Sequence, residues 1–242
     1  TPFTVTYSFM LTNSAATKSV ETNTFAPMNE AERASVRAIL GQYAAVSGLV
    51  FLEVDETSGQ TGILRYGTYS DSTNSTAGYA RGSSSGSDVW MNRSYIAEHD
   101  TVSSGSRPYG TMLHETGHAL ALKHPGINPG DEPPFVDKDY GLEDSRTNSI
   151  MSYTYRDDAV VGVVWEGNAG YPFKIYPSTP MIWDVAAIQY LYGVNTNYRS
   201  GDDLYAFDPA SPFFSNLWDA GGKDTIDIGA YTHNSVISLV PG

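Results

Sequence analysis

The sequence contains no cysteine, which excludes disulfide bonds and metal sites built on thiolate ligands. Basic residues are also few: 14 lysines and arginines stand against 27 acidic residues, for a net charge of -13 at pH 7. So acidic a chain repels phosphates, and we expect no nucleic-acid partner. No run of about 18 apolar residues occurs, so we expect no transmembrane helix and no membrane partner. Solubility and sites for divalent cations explain the many acidic residues better than a nucleic-acid partner does.

What the chain does contain suits one large domain, or one domain with a small appendage. With 40% hydrophobic residues and 17 tyrosines, it can bury a sizeable core. Strand patterns alternate with a long helical pattern, which favours an α/β sheet. The Ser/Gly-rich segment 68–87 has no periodicity and predicts a solvated loop. The strand patterns cover 3–10, 49–54 and 62–67. A long helix is predicted from the capping pair Asn29 and Glu32 to Ser47. A last helix is predicted from Thr179-Pro180 to Gly193, and we assign no chemistry to it.

One helix-compatible stretch contains three of the five histidines of the chain. At 3.6 residues per turn, His114 and His118 lie on one helix face, so their imidazoles can reach a single ion. Glu115 is rotated by about 100° from that face, where it can hold a water molecule without ligating the metal. His124 points away on a continuous helix, so it can join only if the helix ends first. Pro125-Gly126 predicts that end.

Two histidines four apart, with a glutamate after the first, are typical of zinc peptidases in which the glutamate is the general base. The alternative interpretation is three structural histidines on a buried helix. The third histidine favours the metal, because three ring ligands leave an open position for water on a tetrahedral zinc.

The histidine motif, with Ser149-Ile150-Met151-Ser152-Tyr153 downstream, resembles the metzincin metalloproteases and more specifically the serralysins, which are secreted bacterial zinc proteases. Similarity continues over 180–193 and 218–225, so it covers most of the chain after about residue 100. The resemblance implies an α/β (α+β) metzincin zincin fold: a twisted mixed sheet, a long N-terminal helix, an active-site helix and a short C-terminal β segment. It also implies a secreted, extracellular zinc endopeptidase that hydrolyses peptide bonds with metal-activated water.

The resemblance gives individual residues a role. The three histidines, His114, His118 and His124, would hold Zn²⁺, and Glu115 would be the general base. Met151 would support the histidines from below without ligating the metal. Tyr153 would stabilise the oxyanion and stands where the family has a fourth zinc ligand; outside the family context it is one more packed aromatic.

Two further expectations concern the cleft. The family's glycine at the end of the active-site helix is Ala121 here, and a left-handed non-glycine residue costs about 1–2 kcal/mol. That cost is small beside three metal bonds, so we expect a strained turn or, as the alternative, a turn that is made slightly differently. By resemblance, segment 88–92 is the edge strand that borders the cleft, where an extended peptide can pair through main-chain hydrogen bonds. An ordinary edge strand without a substrate is the alternative.

Two acidic, glycine-containing turns near the C-terminus resemble the calcium sites at the start of the serralysin β-roll. A structural Ca²⁺ is therefore expected, and two acidic β-turns without an ion are the alternative. One of the carboxylates, Asp203, stands where the family usually has threonine. The candidate ligands are the carbonyls of Arg199, Gly201 and Gly221, with Gly222, and the carboxylates of Asp203, Asp219 and Asp224.

The predicted organisation is a metzincin protease domain over 1–195 and the calcium-binding start of a C-terminal β-roll over 196–242, which we expect to be truncated. The expected partners of a monomeric chain are a protein or peptide substrate and a proteinaceous inhibitor. The alternative function is a non-catalytic zinc- and calcium-stabilised binding module of a secreted assembly. Glu115 argues against it, because a binding module needs no general base.

Overall fold

The fold comes from a computed structural model, which describes residues 2–73, 75–83, 86–98, 102–126, 144–154, 161–166, 169–211, 213–232 and 237. The helices are α1 (Ser19–Thr24), α2 (Glu30–Val46), α3 (Arg93–Glu98), α4 (Arg107–Ala119) and α5 (Ile182–Tyr192). The strands are β1 (Phe3–Phe9), β2 (Leu49–Glu53), β3 (Leu64–Tyr69), β4 (Gly78–Ser83), β5 (Gly86–Asn92), β6 (Val161–Glu166), β7 (Ala169–Lys174), β8 (Leu204–Ala206) and β9 (Thr225–Asp227).

The main sheet has the strand order β2-β1-β3-β5-β4. Strands β2, β1, β3 and β5 run parallel, and β4 is antiparallel to β5 at one edge. The predicted mixed sheet in an α/β chain is therefore confirmed, and the strand patterns near residues 3, 49 and 64 each fold as a strand. Helix α4 packs against β4, β5 and α2, so the histidine stretch lies beside the antiparallel edge.

Helix α2 forms the layer behind this sheet. At its start, Asn29 Oδ1 accepts from the N–H of Glu32, and the Glu32 carboxylate accepts from the N–H of Asn29. This pair is the predicted capping box. Residues three and four apart turn one face inward, among them the fully buried Ile39 and Tyr43. The Tyr43 hydroxyl donates 3.0 Å to the carbonyl of Leu113 and ties α2 to α4.

The predicted position of the edge strand was wrong. Segment 88–92 belongs to β5, which lies between β3 and β4, and Trp90 in it is fully buried. The edge strand is β4, inside the segment predicted as a loop. Polar partners hold β4: Tyr79 and Arg81 both hydrogen-bond to the buried carboxylate of Glu21. Because residues of β4 make polar contacts, its sequence shows no alternation of apolar residues, which is the pattern that predicts a strand. The segment was therefore predicted as a loop.

Helix α5 begins later than predicted. Met181 is its N-cap and Ile182 its first residue, because the Asp184 carboxylate accepts 2.8 Å from the N–H of Met181. Thr179, the predicted cap, instead accepts 2.8 Å from the N–H of Asn216. The helix ends where predicted, at Gly193, whose φ of 81° lies in the left-handed region that favours glycine.

The short strands β8 and β9 pair in parallel and form a small sheet of their own near the C-terminus. This pair is the predicted C-terminal β segment; the domain boundary after residue 195 stays a prediction. The sequence also predicts an irregular segment over 125–148, which is rich in proline, glycine and aspartate; most of it lies outside the described residues. Over the part of the chain that the structure describes, no helix has the length and apolar character to cross a membrane.

Candidate active site

Helix α4 presents the histidines from a buried position. Its N-cap is Ser106, whose hydroxyl oxygen accepts from the N–H of Tyr109, and Pro108 stands in the first turn, where no N–H is needed. Met112 and Leu113 are fully buried and fix the rotation of the helix.

The end of α4 brings the third histidine back. The N–H of Ala121 donates 2.9 Å to the carbonyl of His118, and the N–H of Leu122 donates 2.9 Å to that of Gly117. These two bonds form a Schellman motif, which needs a left-handed residue at its centre. Ala121 is that residue, with φ 71°, so the strained turn expected at this position is confirmed.

The turn places the three imidazoles around one point. The Nε2 of His124 lies 3.0 Å from the Nε2 of His118 and 3.3 Å from the Nε2 of His114. The three ring nitrogens lie within 4.8 Å of one another. The predicted ligands therefore converge, although a continuous helix would have separated His124 from the other two.

Main-chain carbonyls fix two of the rings. The Nδ1 of His114 donates 2.9 Å to the carbonyl of Ile150, and the Nδ1 of His118 donates 2.9 Å to the carbonyl of Leu122. A neutral imidazole that donates through Nδ1 has a lone pair on Nε2, so both lone pairs point at the shared centre. Carbonyl partners of this kind are what orient histidine ligands behind a metal.

The surroundings of His114 keep it neutral. Burial, and then the charge of His118, lower the pKa of His114 to about 3. Neutral imidazole is the form that binds metals. Nitrogen lone pairs turned on one another repel unless a cation lies between them, so this donor set fits a zinc ion with three histidine ligands.

Glu115 lies on the neighbouring face, beneath the edge strand. Only 7% of it is exposed, and burial raises the pKa of its carboxyl to about 7. The N–H of Ala80 donates to this carboxyl and lowers the pKa in part. At Gly78, a Cβ atom would lie 3.4 Å from the Cγ of Glu115, so the strand leaves room for the side chain. A carboxyl poised near neutral pH can both accept and release a proton.

Met151 and Tyr153 both lie near the histidines, but the first is buried and the second is exposed to solvent. Met151 is buried, and its Sδ would lie 2.7 Å from a Cβ at Gly117, so it packs closely under α4. Tyr153 is 56% exposed. Its ring centroid lies 4.6 Å from that of His124 and 5.5 Å from that of His114. Tyr153 is therefore a solvent-facing aromatic beside the centre rather than a core residue.

Two hydrogen-bonding groups near the centre were not predicted from the sequence. One is the N–H of Ala80, because a backbone donor leaves no trace in residue types. The other is Asp184, on the helix to which we assigned no chemistry. Its carboxylate accepts 2.8 Å from the N–H of Ile150 and 2.6 Å from the hydroxyl of Ser149. The one available signal was an acidic residue in an otherwise apolar helix.

The C-terminal turns form a second cluster. Carboxylate oxygens of Asp203, Asp219 and Asp224 lie within 4.8 Å of one another. Asp224 accepts 3.0 Å from the N–H of Asp203, and Asp219 accepts 2.6 Å from the hydroxyl of Tyr205, so the oxygens are held in place. Three oxygens from three carboxylates fit a calcium ion, which prefers oxygen ligands.

The structure shows the backbone conformation of the two turns that would supply the predicted carbonyl ligands. Gly222 passes against the carbonyl oxygen of Gly201, with no room for a Cβ atom between them. Both Gly221 and Gly222 have positive φ values, 146° and 128°, and Arg199 has φ 48°. The two turns therefore lie side by side.

Fold and site define the class: a mixed α/β protein with three histidines placed to hold a metal ion and a buried carboxyl beside them. A family model described as "Peptidase M10 serralysin C terminal" matches residues 183–242. The chain is 31% identical to "Metallopeptidase AprA" of Pseudomonas marginalis, over 97% of this chain and 52% of the relative. It is 34% identical to "Serralysin C" of Dickeya chrysanthemi, over 90% and 48%. "Serralysin G" of the same organism is 30% identical over 98% and 52%.

On these matches the chain belongs to the serralysin-like metalloproteases, as its motifs predicted. The chain spans about half the length of the curated relatives that it matches.

Proposed function

We propose that this chain is the protease part of a zinc-dependent endopeptidase with the metzincin fold. The observation that carries the proposal is the convergence of three histidine Nε2 atoms beside a buried carboxyl. The metalloprotease and serralysin names of its relatives support the same reaction class.

The chain's own residues divide the chemistry. A zinc ion held by His114, His118 and His124 would supply positive charge that acidifies water and polarises a substrate carbonyl. Glu115, whose pKa lies near 7, takes the proton from the attacking water. The same carboxyl then releases the proton to the amine that leaves when the peptide bond breaks.

Tyr153 would contribute from the solvent side. Its ring rests against two of the histidine rings, so its hydroxyl can reach a group bound beside them. We propose that this hydroxyl donates a hydrogen bond to the oxyanion of the transition state, and that it can act as a fourth zinc ligand in the absence of substrate.

The substrate would be a protein or peptide in extended form. Strand β4 is one of the two edge strands of the main sheet, and it is the edge strand that packs against α4. An extended peptide can add to such an edge through main-chain hydrogen bonds, which requires no particular sequence. A proteinaceous inhibitor would use the same edge.

The remaining proposals concern the whole protein. Calcium at the cluster of Asp203, Asp219 and Asp224 would have a structural role. We further propose that the protein is secreted and acts as a monomer, as the serralysin resemblance implies. Residues 196–242 would form the start of a β-roll, whose first parallel pair is β8 with β9.

The test pairs zinc content with proteolysis. Glu115→Ala should keep zinc, because all three histidines remain, but abolish casein hydrolysis for want of a general base. The matched control is Glu30→Ala, which removes an exposed glutamate of α2 that is paired with Arg37. The control should keep both zinc and activity.

Two outcomes would contradict the proposal. Substantial casein hydrolysis by Glu115→Ala would remove this residue from the mechanism. Wild-type protein that binds zinc, yet cleaves no casein with or without a chelator, would leave the non-catalytic binding module as the function.

A further inference from the structure

The peptide group between Ile150 and Met151 connects the metal centre to helix α5. Its carbonyl end accepts the Nδ1–H of His114 at 2.9 Å. Its N–H end, which belongs to Met151, donates 3.0 Å to the hydroxyl oxygen of Ser149, and that hydroxyl donates 2.6 Å to the carboxylate of Asp184. One end of this peptide therefore faces an imidazole directly, and the other end is linked to a carboxylate through one hydroxyl group.

Asp184 is built into this position. Its Oδ1 accepts 2.6 Å from the hydroxyl of Ser149, and its Oδ2 accepts 2.8 Å from each of the N–H groups of Ile150 and Met181. Only 2% of the residue is exposed. Among the described residues Asp184 has hydrogen bonds but no ion pair. Its negative charge is therefore directed into this turn.

A carboxylate behind a histidine ligand commonly orients the ring and raises its basicity towards the metal. Among the residues that the structure describes, no carboxylate bonds to the Nδ1 of His114; the carbonyl of Ile150 occupies that place. Hydrogen bonds in series polarise one another, so a negative charge at the N–H end strengthens the acceptor at the carbonyl end. The charge can thus act on His114 without contact.

We propose that Asp184 is a positioning residue for the metal centre: through the Ile150–Met151 peptide it fixes His114 and makes it a stronger ligand. The proposal rests on the proposed function only in that the three histidines must bind zinc. A purely structural role, in which Asp184 caps α5, is the competing account. The two accounts differ in zinc affinity and agree on stability.

The deciding experiment measures the dissociation constant of Zn²⁺ by chelator competition, beside urea unfolding of the metal-free protein. Asp184→Asn removes the charge at nearly constant shape and should weaken zinc binding by about tenfold, within the range seen when groups behind metal ligands are changed. Co²⁺ in place of Zn²⁺ should show a shifted visible spectrum in this variant, because the spectrum reports the strength and geometry of the ligands.

The chain offers a matched control in Glu32→Gln. Like Asp184, Glu32 is a buried acid at the third position of a helix, and it accepts from the N–H of the N-cap residue, Asn29. Unlike Asp184, Glu32 also pairs with Arg93 of α3 at 2.8 Å, so its hydrogen bonds among the described residues go to Asn29 and Arg93. Glu32→Gln should lose stability as Asp184→Asn does, and yet bind zinc as the wild type does.

A milder variant keeps the test open if Asp184→Asn does not fold. Ser149→Ala retains the carboxylate but removes the hydroxyl that bonds both to it and to the N–H of Met151. Zinc binding should weaken by a smaller factor, about threefold.

Zinc binding by Asp184→Asn at wild-type affinity would overturn the proposal, as would equal losses in Asp184→Asn and Glu32→Gln. If the wild type itself fails to bind zinc, the proposed function falls, and this inference falls with it. Those results are distinguishable, because only the last one concerns the unmodified protein.

Discussion

At the scale of single residues, Ala121 adopts an unfavourable backbone conformation that is needed to position His124. Its left-handed conformation, at φ 71°, costs an alanine about 1–2 kcal/mol. The turn that it forms brings the Nε2 of His124 to 3.0 Å from that of His118. A regular helix would remove the strain and would also remove the third ligand.

Relief of that strain can be measured. Ala121→Gly should raise the free energy of unfolding by about 1 kcal/mol, because glycine adopts a positive φ without a Cβ clash. The control is Ala119→Gly, two residues earlier and still helical, which should instead cost about 1 kcal/mol. Denaturant unfolding of both variants checks the signs. A loss of stability in Ala121→Gly would refute the strained-turn account.

Tyr153 allows a second measurement at this scale. Tyr153→Phe keeps the ring that rests on His114 and His124 but removes the hydroxyl. A hydrogen bond made only in the transition state affects kcat and leaves KM nearly unchanged. Loss of one such donor costs about 3–4 kcal/mol, or about 100- to 1,000-fold in kcat. Steady-state kinetics on a peptide substrate measure both constants, and a kcat within about twofold of wild type would reduce Tyr153 to packing.

At the scale of elements, strand β4 and helix α4 act as one unit. The N–H of Ala80 donates to Glu115, and Tyr79 and Arg81, its neighbours on the strand, bond to Glu21 on the other side. The strand that we propose as the substrate edge therefore also lowers the pKa of the carboxyl that we propose as the general base, against the larger effect of burial. A change in the backbone of β4 should appear in the pH dependence of the reaction.

Ala80→Pro makes that change. Proline removes the N–H whose hydrogen bond lowers the pKa of Glu115, so the pKa should rise further above the value of about 7. Glu115 must be ionised to accept a proton, so the acid limb of kcat/KM should move to higher pH. Edge strands tolerate proline where its N–H position does not face the ladder.

The control for this variant is Gly82→Pro, which places the same ring two residues on, where no atom of the described residues lies within 4 Å of the Cβ position. It should leave the acid limb where it is. An unshifted profile in Ala80→Pro would mean that the strand does not tune Glu115.

The elements also show what a sequence can predict. The spacing of His114 and His118 along α4 is a local property, so the helix period alone predicts that the two rings lie on one face. The role of Asp184 was missed because its bond to Ile150 joins groups 34 positions apart in different elements. Strand β4 was missed for a related reason: the buried carboxylates of Glu21 and Glu115 help to hold it from distant elements, and its own sequence shows no regular apolar alternation.

At the scale of the whole molecule, the net charge is -13, and some of the acidic residues behind it cluster in the C-terminal turns. Asp203, Asp219 and Asp224 gather carboxylate oxygens within 4.8 Å, and Asp202 lies next to them in sequence. Without a cation these like charges repel one another, so the C-terminal segment should loosen before the zinc centre does.

Calcium should therefore act on one end of the chain. Millimolar Ca²⁺ should raise the melting temperature and suppress proteolytic nicking after about residue 195, since an ion at a hundredfold excess over its Kd adds about 2.7 kcal/mol to the folded state. Mg²⁺ should do so poorly, because it keeps its waters and demands octahedral geometry. Asp219→Ala should abolish the calcium effect and leave the zinc content unchanged. Melting and nicking that ignore calcium would reduce the cluster to acidic turns.

The hydrogen bond from His114 to Ile150 spans 36 positions, and it has a consequence during synthesis. At about 5–20 residues per second, the three ring ligands emerge from a ribosome within about 2 s of one another, whereas Ile150 follows His114 by about 2–7 s. Asp184 follows Ile150, across 34 further positions, by about as long again. We therefore expect a nascent chain to hold a metal ion only loosely until the turn and α5 have been made, because His114 is fixed by its bond to Ile150 only then. Slower translation between these two points should lengthen the time in which an ion can be lost or exchanged, and it should leave the affinity of the finished protein unchanged.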